Sequence, residues 1–336
     1  MAKKIPVGLV GTGRIGRLHA RTLKQLVPEA DLQVVTDVNL QSARECAELY
    51  GIPKVAESYD QILADPAIEA VVICSSTDTH APFIVQAAQA GKQIFCEKPI
   101  AADLAKIDAA LEAVQKAGVK LMIGFNRRFD ANPQRIKTAI EKGEIGTPHL
   151  MHIISRDPAP PPIEYIKVSG GLFFDMTIHD FDMARFLLGE VAEIYATAGV
   201  MVDPAIGAAG DIDTAMITLK FANGAIGTID NSRRAVYGYD QRIEVFGSGG
   251  AIQGDNWYLK EVTVSNASGV GRGPLMNFFM DRYLASYQAE LTAFVQCVAN
   301  NSPVPVTGSD GRAPVVLALA AMKSYKENRP VRLDEK

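Results

Sequence analysis

The segments "FCEKPI" and "GGLFFDMTIHDFD" hold the residues of this chain best suited to moving a proton and a hydride: Lys98 in the first, Asp175 and His179 in the second. Oxidising a secondary alcohol needs a base for the hydroxyl proton as hydride leaves its carbon, and histidine titrates near neutral pH. His179 fits that base. Asp175 could orient its imidazole and bond a neighbouring hydroxyl, while Lys98 could hold the reacting oxygen as negative charge develops. A cationic Lys98 would also favour the neutral imidazole that a base requires. The spacing predicts Asp175 and His179 on one face of a helix, with Asp182 near that face one turn on. Phe174, Ile178, Phe181 and Leu188 give this helix an apolar side to bury. Taken singly, each residue has a plainer reading: a solvated lysine, a helix-stabilising pair, or a core histidine.

Hydride needs an acceptor, and "VGLVGTGRIGRLHA" offers a place for one. A lone G-x-G-x-x-G is weak evidence because glycines mark turns everywhere. Here an apolar run precedes it, a helix-capable stretch follows, and Asp37 ends the next apolar run about 20 residues on. In that reading Gly11 permits the turn, Gly13 lets backbone reach a pyrophosphate, and Gly16 lets helix and strand approach closely. Arg14 and Ile15 open the helix whose N-terminal amides and dipole favour the anion. A carboxylate at Asp37 can accept from a ribose diol and repels a 2'-phosphate, and Val38 and Asn39 supply no arginine to welcome one. NAD is therefore expected over NADP. Asp37 could equally cap the turn that follows it, and the two roles are compatible.

Other chemistries find little support. His19, His80, His149 and His152 form no ligand motif with His179, and Cys46, Cys74, Cys96 and Cys297 lie too far apart for a zinc spacing or a small disulfide framework. No metal is expected, and the thiols read as reduced core residues of a cytoplasmic protein. No G-x-S-x-G elbow marks a serine hydrolase. The net charge of −4 is spread along the chain without a basic block, which argues against nucleic acid. No apolar run approaches the roughly 18 residues of a membrane span, and "MAKKIPVGLVG" reads as a first strand, not a signal peptide.

These residues require a scaffold, and 336 residues suit two domains. Up to about residue 123, apolar runs ("IPVGLV", "LQVVTDV", "AVVICSS", "QIFCEKP", "KLMIGF") alternate with helical stretches over residues 14–26, 41–50, 80–90 and 104–117. That alternation predicts a doubly wound parallel sheet, which binds ligands beyond the carboxyl ends of its strands. Residues 124–336 should form a second α/β domain: a helix over 132–142, a strand "PHLMHIISRD", a break at "PAPPP", one helix over 172–188, an antiparallel meander, and closing helices over 283–299 and 314–328.

The order "GTGRIG", Asp37, "CEKP", "GGLFFDMTIHDFD" resembles the glucose-fructose oxidoreductase, inositol dehydrogenase and rhizopine catabolism protein (Gfo/Idh/MocA) superfamily along nearly the whole chain. Within it, "GFNRRFD", "SRDPAPPPIEYIKVSGGLFFDMTIHDFDMARFL" and "YGYDQRIEVFG" are most similar to the bacterial inositol 2-dehydrogenases. The resemblance implies a Rossmann domain, a second domain with a large, mostly antiparallel sheet, and homotetramers assembled through those sheets. It also implies NAD-dependent oxidation of myo-inositol at C2 to 2-keto-myo-inositol (scyllo-inosose), with Lys98, Asp175 and His179 as catalytic trio. Ser75, Ser76, Thr77 and His80 would lie along the cofactor, with Glu97 near its nicotinamide ribose. Asn126, Arg127, Asp157, Tyr237 and Tyr239 would meet the substrate. Some inositol dehydrogenases have methionine at the position of Asn126 and a histidine-arginine-asparagine run at Ser155, Arg156 and Asp157. An ionised carboxylate only accepts, where the amide both donates and accepts. The ring therefore stays open at this point: myo-inositol, scyllo-inositol or a pyranose sugar. A nicotinamide-binding sensor without turnover would not need the catalytic trio together.

Overall fold

The computed structural model describes residues 4–335; residues 1–3, the charged start of the predicted first strand, and residue 336 lie outside it. Two compact units form, Met1–Phe129 with Ala285–Val315, and Asp130–Leu284 with Val316–Lys336.

In the first unit, strands β1 (Ile5–Val10), β2 (Ala30–Thr36), β3 (Lys54–Val55), β4 (Ala70–Ile73), β5 (Gln93–Glu97) and β6 (Leu121–Gly124) alternate with helices α1 (Arg14–Gln25), α2 (Leu40–Tyr50), α3 (Tyr59–Ala64), α4 (Thr77–Gln89) and α5 (Leu104–Ala117). The sheet is parallel in the order β3-β2-β1-β4-β5-β6, as the alternation predicts. Its central strands β1 and β4 are buried on both faces, which is why they read as nearly unbroken apolar runs. The order reverses between β1 and β4, the place where a doubly wound sheet opens a crevice. The two-residue β3 and the short α3 carry too little periodicity to be read from sequence.

In the second unit α6 (Ala131–Glu141), β7 (Pro148–Arg156), α7 (Ile163–Ile166), α8 (Leu172–Asp175) and α9 (Thr177–Leu188) lead into β8 (Val191–Gly199), α10 (Pro204–Ala208), β9 (Thr214–Phe221), β10 (Ile226–Ser232), β11 (Asp240–Gly247) and β12 (Gly250–Gly254). A hairpin of β13 (Thr263–Asn266) and β14 (Gly269–Arg272) and the short α11 (Phe279–Arg282) follow. The chain ends with α12 (Leu284–Ala299), α13 (Gly308–Glu327) and β15 (Val331–Arg332). Seven strands form one sheet in the order β12-β11-β7-β10-β9-β8-β15, antiparallel except for β10 beside β7. The large, mostly antiparallel sheet is as expected, with that parallel pair as an addition to the meander.

Three expected elements differ. The single helix over 172–188 is broken at Met176, where the Leu172 carbonyl accepts from the Thr177 hydroxyl as well as the Met176 amide. The last helix starts at Gly308, six residues before the expected start, because Thr307 and Asp310 close a reciprocal cap. The Thr307 hydroxyl meets the Asp310 amide, and Asp310 accepts from the Thr307 amide. The boundary expected at residue 123 meets the structure at Phe129, and residues 285–315 join the first unit. There Phe294 packs on Phe95, the Val306 carbonyl accepts from the Ile123 amide, and Gly311 lies against Ile100 and Ile123. Helical periodicity marks the apolar face but not the sheet that will cover it.

All four cysteines are buried and unbridged, and burial pushes the Cys74 and Cys96 thiols well up. Among the described residues no helix is long and apolar enough to cross a membrane.

The second unit is held partly by buried charge. The Arg282 guanidinium forms a two-pronged pair with Asp130 at 2.5 and 3.0 Å and stacks 4.2 Å from the Trp257 ring centre. Replacing Arg282 by methionine strands a buried carboxylate, so we expect a loss of about 3–5 kcal/mol in urea unfolding. A change below 1 kcal/mol would show the pair to be dispensable.

Candidate active site

The carboxyl ends of the parallel strands bring together one half of the predicted residues. Gly11 has φ +92°, and a Cβ there would sit 2.5 Å from the Cys74 carbonyl, so the turn after β1 and the loop after β4 touch through a glycine. A Cβ on Gly16 would stand 1.8 Å from the Gly11 oxygen, which makes this glycine the condition for α1 to lie against β1. At Gly13, the N-cap of α1, a Cβ would meet nothing within 4 Å. The loop thus leaves open space at the helix N-terminus, flanked by Arg14 and Ile15, as a phosphate cradle requires. Gly11 makes the turn and Gly16 the close helix–strand approach that their spacing predicts.

Asp37 follows β2 and accepts from the Thr12 amide at 2.6 Å and from the Asn39 amide at 2.8 Å. It therefore braces the glycine loop and caps its own turn. Ser75 and Ser76 lead from β4 into α4, which opens at Thr77 with Ser76 as N-cap. His80 is buried behind this loop, Nδ1 2.8 Å from the Pro99 carbonyl and Nε2 3.0 Å from that of Ser75. Burial pushes its pKa down, and the neutral ring, with one N–H to donate, sits between the loop after β4 and the turn after β5 and can bond only one of the two carbonyls. That turn carries Glu97, Lys98 and the cis Lys98–Pro99 peptide. Glu97 lies 2.6 Å from His19 Nε2. Asn126 and Arg127 form a short 3-10 turn just after β6, with Asn126 buried and donating to Ser286.

The second unit assembles the other half. Asp175 ends α8 and His179 stands in the first turn of α9, both partly exposed. The Asp175 carboxylate accepts from the Tyr165 hydroxyl at 2.8 Å and from Arg233 at 3.2 Å. Arg233 is fully buried and also reaches Asp211, which in turn accepts from the Leu172 amide at the start of α8. A cation on one side and a phenol on the other fix the Asp175 carboxylate in place. Asp157 lies beside this group through backbone: its amide donates to Ser232 and its carbonyl accepts from Ala235. Asp182 is buried.

Tyr237 is held on the other face of the sheet. Asn231 on β10 meets Thr177 and Asp180 of α9, so its neighbour Asp230 points to the other sheet face. Arg156 pairs with Asp230 there, and the Tyr237 hydroxyl bonds to Arg156 and Asp240 on that same face. It lines a cavity of about 630 Å³ with Arg156, Asp230 and Met216. Tyr239 is buried edge-on against Tyr283. Tyr165, Asp211 and Arg233 were not foreseen: Arg233 reaches Asp175 and Asp211 across the fold, and Tyr165 reaches Asp175 from the short α7.

Residues 5–125 match the oxidoreductase family with an NAD-binding Rossmann fold, and residues 134–253 match the GFO/IDH/MocA C-terminal domain. The chain is 48% identical over 330 residues to the myo-inositol 2-dehydrogenase of Thermotoga maritima, covering 98% of both chains. It is 46% identical to the inositol 2-dehydrogenase of Rhizobium meliloti, covering 96% of this chain and 98% of that one. The crystal structure of scyllo-inositol dehydrogenase from Lactobacillus casei with NAD(H) and scyllo-inositol superposes with TM-score 0.93 at 30% identity, over 99% of this chain and 100% of that one.

Two measurements probe the halves separately. Gly13→Ala should keep its melting temperature yet weaken NAD binding by about tenfold or more, or about 1.4 kcal/mol, whereas Gly16→Ala should lower stability itself; calorimetric titration and thermal melts separate them. Arg233→Met should free Asp175 to wander and lower kcat by roughly 100-fold with NAD affinity retained; an unchanged kcat would remove Asp175 orientation from the reaction.

Proposed function

Because the chain belongs to the Gfo/Idh/MocA family of NAD-binding oxidoreductases, we propose that it oxidises myo-inositol at C2 to 2-keto-myo-inositol (scyllo-inosose), with His179 as general base. The observation that carries this reading is one chain holding an open glycine cradle at Gly13, Lys98 at the carboxyl end of β5, and an Asp175 locked four residues before His179. NAD bound at the cradle supplies the hydride acceptor. His179 takes the C2 hydroxyl proton, Asp175 orients the imidazole and accepts from a neighbouring hydroxyl, and Lys98 holds the reacting oxygen. Asn126, Arg127 and Asp157 are the residues we assign to the remaining hydroxyls.

The acceptor-only Asp157 and the similarity to an enzyme seen with scyllo-inositol favour that isomer as the second reading. Leu150, Met216, Ile226 and Phe246 lie on the sheet face away from α9 and are exposed in the single chain. We assign that face to contacts between copies, in a homotetramer that works in the cytoplasm.

The test is appearance of reduced cofactor by absorbance, with NAD or NADP and myo-inositol, scyllo-inositol, D-chiro-inositol, glucose or xylose. NAD with myo-inositol should give the highest kcat/KM. Lys98→Ala and His179→Asn should each lower kcat by about 10²- to 10⁴-fold. Turnover best on another polyol would move the substrate and keep the mechanism. Tight NAD binding with no turnover on any of them would overturn the reading.

A further inference from the structure

Glu290 lies in the middle of the buried stripe of α12, between Tyr287 and Phe294, and is fully buried. A carboxylate in such a place needs a partner, yet neither of its oxygens has a hydrogen bond among the described residues. Its polar surroundings are Glu97 from the end of β5 and His19 from α1, with one ligand-type atom of each of the three residues within 4.8 Å of the others. Cys74 after β4 and Cys96 on β5, both held as thiols by burial, and His80 of α4, whose pKa burial lowers, are further titratable groups beside the cluster. Phe95 and Tyr287 close on the His19 ring edge-on at 5.5 and 5.6 Å, so the cluster is walled by aromatic rings.

The charges in this cluster can be assigned. His19 Nδ1 is buried without a partner and Nε2 lies 2.6 Å from Glu97 Oε1, so the ring proton belongs on Nε2 and is donated to Glu97. Glu97 is then the anion. A second anion beside it in a dry site is excluded by mutual repulsion and by desolvation alike. A bound cation could also neutralise two carboxylates, but at 2.6 Å the His19 and Glu97 atoms are too close for an ion to lie between them, and the contact is a hydrogen bond.

We propose that His19, Glu97 and Glu290 form a proton-sharing positioning triad, in which the histidine and a protonated Glu290 both direct donors at the Glu97 carboxylate and so fix the turn that presents Lys98. The role in turnover rests on the reading that Lys98 takes part in the reaction; the protonation of Glu290 does not. Burial first, and the Glu97 charge second, push the Glu290 pKa well up. A group whose pKa is raised on folding stabilises the protein at low pH and loses that contribution as pH rises through its folded value.

The full-length protein tests this in three readouts. An infrared band of a protonated carboxylic acid should be present near neutral pH and vanish in Glu290→Gln. The melting temperature of the parent should fall relative to Glu290→Gln as pH is raised, since the amide does not titrate. With substrate, Glu290→Ala should lower kcat about tenfold with NAD affinity kept, and Glu290→Gln should restore most of it. The proposal is overturned if the infrared band is absent, if Gln is as damaging as Ala, or if metal analysis finds a divalent ion that Glu290→Gln loses. An enzyme inactive on every inositol would still show or lack the band, so failure of the functional reading and of the triad are told apart.

Discussion

The contact between Gly16 and the Gly11 carbonyl governs the first unit. No side chain fits there, since a Cβ would fall within 1.8 Å of that oxygen. With α1 seated so closely on β1, its first amides face the open space at Gly13, and the loop after β4 can press against Gly11. Asp37 then completes the frame by accepting from the Thr12 amide inside the same loop. In the proposed site phosphate recognition is a backbone property, conferred by what the three positions lack, and only the acid that braces them brings chemistry of its own.

Charge plays the corresponding part in the second unit. Arg233 satisfies Asp175 and Asp211 together, and Asp211 holds the start of α8. The geometry of the acid is thereby tied to the helix that bears it. The break at Met176 matters in this setting: it lets α8 end on Asp175 while α9 begins its own run with Thr177 bonded to Asn231 of β10. His179 is consequently anchored to the sheet through α9 and Asp175 through Arg233, two routes to one surface.

What could be read in the sequence was local. The glycine loop, Asp37 and the Lys98 turn all sit within a strand and its following loop, where apolar runs and turn residues reveal the carboxyl end directly. The Thr307 and Asp310 cap was equally local, and its spacing would have placed the start of α13. Glu290 was visible as an acid inside an apolar stripe, an anomaly that points to burial with a purpose. Arg233 was not legible, because its link to Asp175 spans 58 residues and depends on how β10 ends beside β7. The placement of Tyr237 was hidden for a related reason: sheet face follows register parity, which the pairing of Asp240 with Arg156 decides.

The two halves handle buried acids in opposite ways, and the difference follows from what each acid must do. Asp175, which in the proposed reaction orients a base, has a permanent cation buried beside it; arginine suits this, since its charge survives desolvation. Glu97, the anion of the proposed triad, has a second acid beside it in place of an arginine. A proton on Glu290 then does the work of neutralisation without adding a positive charge close to Lys98, where an arginine would compete for the oxygen that the lysine is to hold. Neutral donors around Glu97 keep the local field in favour of a single cation at the reacting end.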